Sequence, residues 1–199
     1  MLSKLSRREF SLLGLSAALV AATPLKLMAM TVDQADALVG KLIGEINSVI
    51  NSGKSEGSMF SSFEDIFARY ADVNYIAQSA LGPAGRSASA AQKAAFTKAY
   101  TRYLSVKYGK RFREFIGGKI EVKDAHPLKS FFEVVSTAKL QGQAPFEVRW
   151  HVFEKGGKSR FFNIIIEGVN MLATERSEVG SLLDKNKGDI DKLIAAIKV

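Results

Sequence analysis

Phe146-Glu147-Val148-Arg149-Trp150-His151-Val152, followed after a turn by Phe162-Asn163-Ile164-Ile165-Ile166, decides the architecture. Large apolar residues recur at every second position, and a period of two belongs to an extended strand with one buried face. Upstream, Phe132, Val134, Ser136, Ala138 and Leu140 share one face of a run, and Ile120 and Val122 alternate with Lys119, Glu121 and Lys123. Gln141-Gly142-Gln143 and Lys155-Gly156-Gly157-Lys158 separate these runs and read as hairpin turns. The pattern predicts four antiparallel strands in a meander, with Val169 to Leu172 as a short fifth. On this reading Phe162, Ile164 and Ile166 share the inner face, and Phe161, Asn163 and Ile165 the outer one. His126-Pro127 reads as a turn, and His151 points outward.

On both sides of this region the period becomes helical. Leu38, Leu42, Ile46, Val49 and Ile50 recur at spacings of three and four between Thr31 and about Asn51, with Thr31 or Asp33 as the cap. A polar, glycine-rich loop, 51–58, precedes a short helix with Phe60, Phe63, Ile66, Phe67 and Tyr70 on one side. A third helix covers Asp72 to Leu81 and stops at Gly82-Pro83. The longest begins at Ser89 and runs to about Phe115, with Phe96, Tyr100, Tyr103, Leu104, Tyr108, Phe112 and Phe115 on one broad face. Two more lie near Arg176 to Asp184 and Asp189 to Lys198. Helices, then strands, then helices is the order of an α+β fold, in which the helices cover the apolar face of an antiparallel sheet of four to five strands. The chain has nineteen aromatic residues, and many of them point to this interior, which is either a solid core or a cavity lined by rings.

The first 29 residues stand apart. Lys4, Arg7 and Arg8 form a basic start, Leu12 to Ala22 an uncharged apolar run, and Leu27-Met28-Ala29 a cleavage site. This is the layout of a secretory signal peptide, and the run is about half the length that spans a bilayer. Ser6-Arg7-Arg8-Glu9-Phe10-Ser11-Leu12 resembles the twin-arginine consensus, a receptor-read export address. The expected organisation is therefore a leader, 1–29, and a single domain, 30–199, delivered to a bacterial periplasm. Removing four basic residues and one acidic one with the leader takes the net charge from +8 to +5. The densest basic stretch, Lys107 to Arg113, is a solvated helix face or a surface for headgroups or an acidic partner. With export, a nucleic-acid partner is not expected.

Little in the chain points to a reaction. There is no cysteine for a thiol nucleophile or a thiolate metal site. No P-loop, dinucleotide fingerprint or Gly-x-Ser-x-Gly occurs, and the two histidines lack partners at metal-ligand spacing. Asp124 and His126 form at most an acid/base pair of low specificity. No catalytic residue, metal or cofactor is assigned.

Asp72-Val73-Asn74-Tyr75-Ile76-Ala77-Gln78-Ser79-Ala80-Leu81-Gly82, then Ala90 to Phe96, resembles the central helical region of the MlaC family. The aromatic helix from Phe96 to Tyr108 is similar to that family's long helix. The best match is Ile166-Glu167-Gly168-Val169-Asn170-Met171, followed by Arg176-Ser177-Glu178 and Leu182-Leu183. Two positions depart from the family pattern. Gly85 stands where tryptophan is common, and would loosen a loop near a cavity mouth; Asn170 stands where serine is common.

The resemblance implies a curved antiparallel sheet with helices packed on its concave face, an NTF2-like lipid-binding cavity and a periplasmic carrier. Such a protein holds phospholipid acyl chains and shuttles them between inner- and outer-membrane complexes of an Mla-type ABC transport system. Its implied partners are a phospholipid and the membrane-complex subunits, and a monomer is the expected state for a shuttle. Strand parity and helix spacing place Phe67, Tyr70, Tyr100, Leu104, Tyr108, Phe132, Val134, Val148, Trp150, Phe162, Ile164 and Ile166 around the pocket. A hopanoid or other polyprenoid cargo, as for the related HpnM, and an enzyme on a cone-shaped α+β scaffold remain open as alternatives.

Overall fold

The chain was analysed as a computed structural model, which describes residues 30–112 and 116–199. The leader with Arg7 and Arg8, and also Arg113 and Phe115, lie outside the described residues.

Thr31 opens the first helix with a capping box: its hydroxyl accepts from the Gln34 N–H, and the Gln34 side chain accepts from the Thr31 N–H. Helix α1 (Val32–Ile50) buries Val39, Leu42, Ile43, Ile46 and Ile50. Helix α2 is Glu56–Tyr70 and α3 is Val73–Leu81, the latter capped by Asp72. A single turn, α4 (Ala84–Ser87), precedes α5 (Ala90–Phe112), whose start carries a reciprocal pair of bonds between Ser89 and Gln92.

Four long strands follow: β1 (Lys119–Leu128), β2 (Phe131–Lys139), β3 (Phe146–Lys155) and β4 (Lys158–Ile166). With the two-residue β5 (Val169–Asn170) they form a single antiparallel sheet in chain order. Helices α6 (Met171–Lys185) and α7 (Ile190–Ala196) close the chain. The fold is the expected α+β, with α1 lying across the first four strands.

The sheet departs from simple alternation in two places. The ladder between β3 and β4 shifts between His151 and Val152: Val152 pairs with Phe161, but His151 pairs with Asn163. Phe162 is therefore an extra residue, a bulge, and the face assignment flips there. Phe161 turns inward and meets Trp150 and Phe67, both with edge-on rings at 5.7 Å. The ring of Phe162 joins Phe131, Phe153, His151 and Tyr75 instead. A second shift, between Val122 and Asp124, bends β1. That strand does not end before His126-Pro127; it continues to Leu128, because it is an edge strand, where proline forfeits no ladder bond it needs.

The end of the sheet also differs from the expectation. Val169 to Leu172 is only two residues of strand, and α6 begins at Met171, ahead of Arg176. The turn explains this. Glu167 and Gly168 both have positive φ, 49° and 82°, the two-residue hairpin geometry that favours glycine. Asn170 then accepts from the Ala173 N–H and caps α6. Serine caps equally well, so the departure at 170 keeps the function of the position.

Helices α2 and α5 touch at a glycine. A Cβ on Gly109 would lie 2.5 Å from the Phe60 ring. Gly109→Ala gains helix propensity of about 1 kcal/mol but must displace that ring. A net loss of roughly 1–2 kcal/mol is expected in urea unfolding, where a gain would show that the helices are not in contact there.

Candidate functional site

The cavity lies between the sheet edge and four helices. Its volume is about 390 Å³, within the roughly 300–1,000 Å³ of ligand pockets. Phe67 of α2, Ile76 of α3, and Leu104 and Tyr108 of α5 form one side. Phe161, Phe162, Ile164 and Ile166 of β4 form the floor, and Met171, Leu172 and Thr174 of α6 the opposite wall. Gln143, Glu167 and Val169, its exposed lining residues, mark the mouth between the β2–β3 and β4–β5 turns.

Six of the expected pocket residues meet here: Phe67, Leu104, Tyr108, Phe162, Ile164 and Ile166. Trp150 borders a second, much smaller void with Leu42, Ile46, Phe63 and Ile66, and donates its indole N–H to Ser136 at 2.9 Å. Phe67, Phe161 and Ile164 line both spaces and form the partition between them. The remaining residues lie elsewhere. Tyr70 donates to Glu45 at 2.6 Å, between α1 and α2. Tyr100 is stacked between Phe96 and Tyr103 behind the wall. Phe132 pairs with Pro127 and Val152, Val134 is fully buried beside Trp150, and Val148 lies between Ser136 and Ile166. Gly85 is buried against Leu81 and Gln78 and does not line the cavity.

The wall contains a polar knot that periodicity does not show. Glu175 of α6 is 3% exposed. It accepts from the hydroxyls of Tyr100, at 3.0 Å, and Tyr108, and from the Lys107 ammonium at 2.6 Å. Lys107 also bonds Glu178. Burial disfavours the charge on Lys107, but these two carboxylates outweigh it and hold its pKa above the ordinary lysine value. Burial, and then the Glu175 charge, push the Tyr100 and Tyr108 phenols far above theirs, so both stay neutral donors. Lys107 is thus a braced strut between α5 and α6 rather than a free basic rim; Lys110 is exposed. The signal for the knot was the tyrosine stripe itself, since a buried phenol needs an acceptor.

Asp124 and His126 do contact each other, at 3.0 Å, on the exposed part of β1 and away from the cavity. Among the described residues no three His, Asp or Glu side chains gather as a metal site, and no helix is long and apolar enough to cross a membrane.

Comparisons with known proteins agree with this architecture. The phospholipid-binding protein from Ralstonia solanacearum, solved in complex with a phospholipid, superposes with a TM-score of 0.71 at 17% identity. The match covers 82% of this chain and 94% of that one, and shows a shared fold. A Haemophilus influenzae protein described as the intermembrane phospholipid transport system binding protein MlaC is 27% identical over 135 residues. That stretch is 65% of this chain and 62% of the relative, so the chain spans about three fifths of the relative's length. A family model described as MlaC protein matches residues 40–199, which run from within α1 through α7. The chain belongs to the MlaC protein family.

Proposed function

We propose that the chain is a periplasmic phospholipid carrier. It is exported through its leader, 1–29, by the twin-arginine route, and works as the domain 30–199. It receives lipid from one membrane complex of an Mla-type transport system and gives it to another. The observation that carries this reading is a cavity with a largely apolar lining, broken by the Lys107–Glu175–Glu178 knot, and open at one end between two turns. Burying acyl methylenes stabilises by roughly 0.8 kcal/mol each, so such a space retains a chain without any reactive group. The family membership and the lipid-bound relative support the same cargo. No catalytic step is assigned to it.

Native mass spectrometry of the protein taken from periplasm without detergent, followed by lipid extraction, tests the proposal. A bound phospholipid on a chain trimmed near residue 29 is the expected result. A bound hopanoid would replace the cargo. An empty protein that also takes no lipid from vesicles would overturn the carrier reading.

A further inference from the structure

A thread of side chains crosses the sheet on the face away from Trp150. Glu133 of β2, His151 of β3 and Asn163 of β4 are 5%, 8% and 6% exposed. The His151 Nε2 is 3.1 Å from Glu133 Oε2, and its Nδ1 is 3.3 Å from Asn163 Nδ2. Asn163 Oδ1 accepts from the Ile164 N–H at 2.9 Å and from the Leu172 N–H at 3.1 Å. Leu172 lies in the first turn of α6, and Asn163, Ile164 and Leu172 all line the cavity. The thread therefore ends on the lining of the cavity.

The direction of these bonds is fixed from one end. Two backbone N–H groups can only donate, so the Asn163 oxygen must face them. Its NH₂ must then donate to His151 Nδ1, which must carry no proton. The single ring proton is left on Nε2, aimed at Glu133. Only the neutral imidazole satisfies every group. A second proton on the ring sets His151 Nδ1–H against the Asn163 NH₂. Turning the amide removes that conflict, but sets the NH₂ against the two backbone N–H groups instead. Either way the bond to Leu172 or the bond to His151 is lost.

The charged groups around the ring are few. Glu133 faces it from β2. Arg149 of β3 reaches Glu133 at 3.4 Å, and His126 of β1, which bonds Asp124, reaches it at the same distance. From β4 the contacts are Asn163 and the Phe162 ring, and Phe131 covers the imidazole at 4.6 Å between centroids. Arg160 of β4 is directed to the Ala71 carbonyl.

We propose that Asn163 is a positioning residue that clamps the start of α6 to β4, and that protonation of His151 opens this clamp and speeds release of the bound ligand. The ligand is taken from the carrier reading; the clamp is independent of it. Two measurements separate the failures. In the first, the His151 ring and the Leu172 and Ile164 amides of the intact domain are followed by NMR between about pH 8 and pH 5, the range in which imidazoles titrate. The Leu172 amide should move with the His151 midpoint, and should stay still in His151→Gln, whose side chain can accept from Asn163 and donate to Glu133 without titrating. In the second, release of a fluorescent-chain phospholipid into phosphatidylcholine vesicles should speed up roughly three- to ten-fold on acidification, the equivalent of one ordinary hydrogen bond. In His151→Gln it should not change with pH.

A Leu172 amide indifferent to His151 overturns the clamp, and so does an unchanged acid response in folded His151→Gln. Should that variant not fold, the wild-type titration alone decides. A protein that loads no phospholipid but shows the coupled titration refutes the carrier reading and leaves the clamp standing.

Discussion

Ile166→Trp is expected to strip the protein of most of its bound phospholipid while leaving it folded. Ile166 is half-buried, pairs with Val148 across β3 and borders the cavity toward its mouth. An indole at this position has the empty space of the cavity to enter. If it excludes about four methylenes from the cavity, the loss is roughly 3 kcal/mol, about a hundredfold in affinity. Ile165→Trp provides the control. Ile165 is also half-buried, pairs with Arg149 and does not line the cavity. Extracted lipid per protein and uptake of fluorescent lipid from vesicles should fall for the first variant and hold for the second. A folded Ile166→Trp protein with its full lipid content would show that the chains lie elsewhere.

Glu175→Leu is expected to destabilise the protein markedly by undoing the polar knot in the cavity wall. It leaves the buried hydroxyl of Tyr100 and the half-buried hydroxyl of Tyr108 without their acceptor, while Lys107 keeps Glu178. Each orphaned donor costs about 1–3 kcal/mol, so a loss near 3 kcal/mol is expected, with a thermal midpoint lower by roughly 6–12 °C. Adding Tyr100→Phe and Tyr108→Phe should restore a large part of it, because the apolar rings then need no acceptor. The pH dependence has a definite sign. The Lys107 pKa is raised, so its bond contributes fully at neutral pH and is lost only as pH climbs past the ordinary lysine value. The difference between wild type and Glu175→Leu should therefore be flat from about pH 7 to 9. If Glu175→Leu is as stable as wild type, the knot holds nothing together.

The sheet was legible because a period of two survives through three strands with little interruption. It failed where one residue was inserted. The bulge at Phe162 reverses parity, so Phe161, counted as outward, packs against Trp150 and Phe67. Pro127 was read as a turn because a proline signals one locally, and only the pairing partner reveals that the strand is an edge. The cavity's apolar side was visible in Phe67, Leu104, Tyr108, Ile164 and Ile166, whose spacing points them inward. Depth was not visible. Tyr100 has the same helix face and the same chemistry as Tyr108, yet lies behind the wall, because burial along a helix depends on what approaches from 75 residues away. Glu175 and Glu133 were missed for a related reason. Glu175 stands between Thr174 and Arg176, and Glu133 alternates with Phe132 and Val134 along a strand, so both read as solvated; their burial depends on partners that sequence distance conceals.

The order of synthesis bears on how this interior is completed. Adjacent strands pair in chain order, so the sheet assembles from local contacts. The wall opposite it comes from α6, which follows every strand in the chain. Until that helix has left the ribosome and docked, Leu104, Ile164 and Ile166 have no cover from it and Tyr100 has no acceptor. A nascent or C-terminally shortened chain thus presents a wide apolar trough, the kind of surface that chaperones hold and that aggregates when they do not. The cavity is complete only once α6 has docked, so whatever occupies it meets its last wall later than its floor.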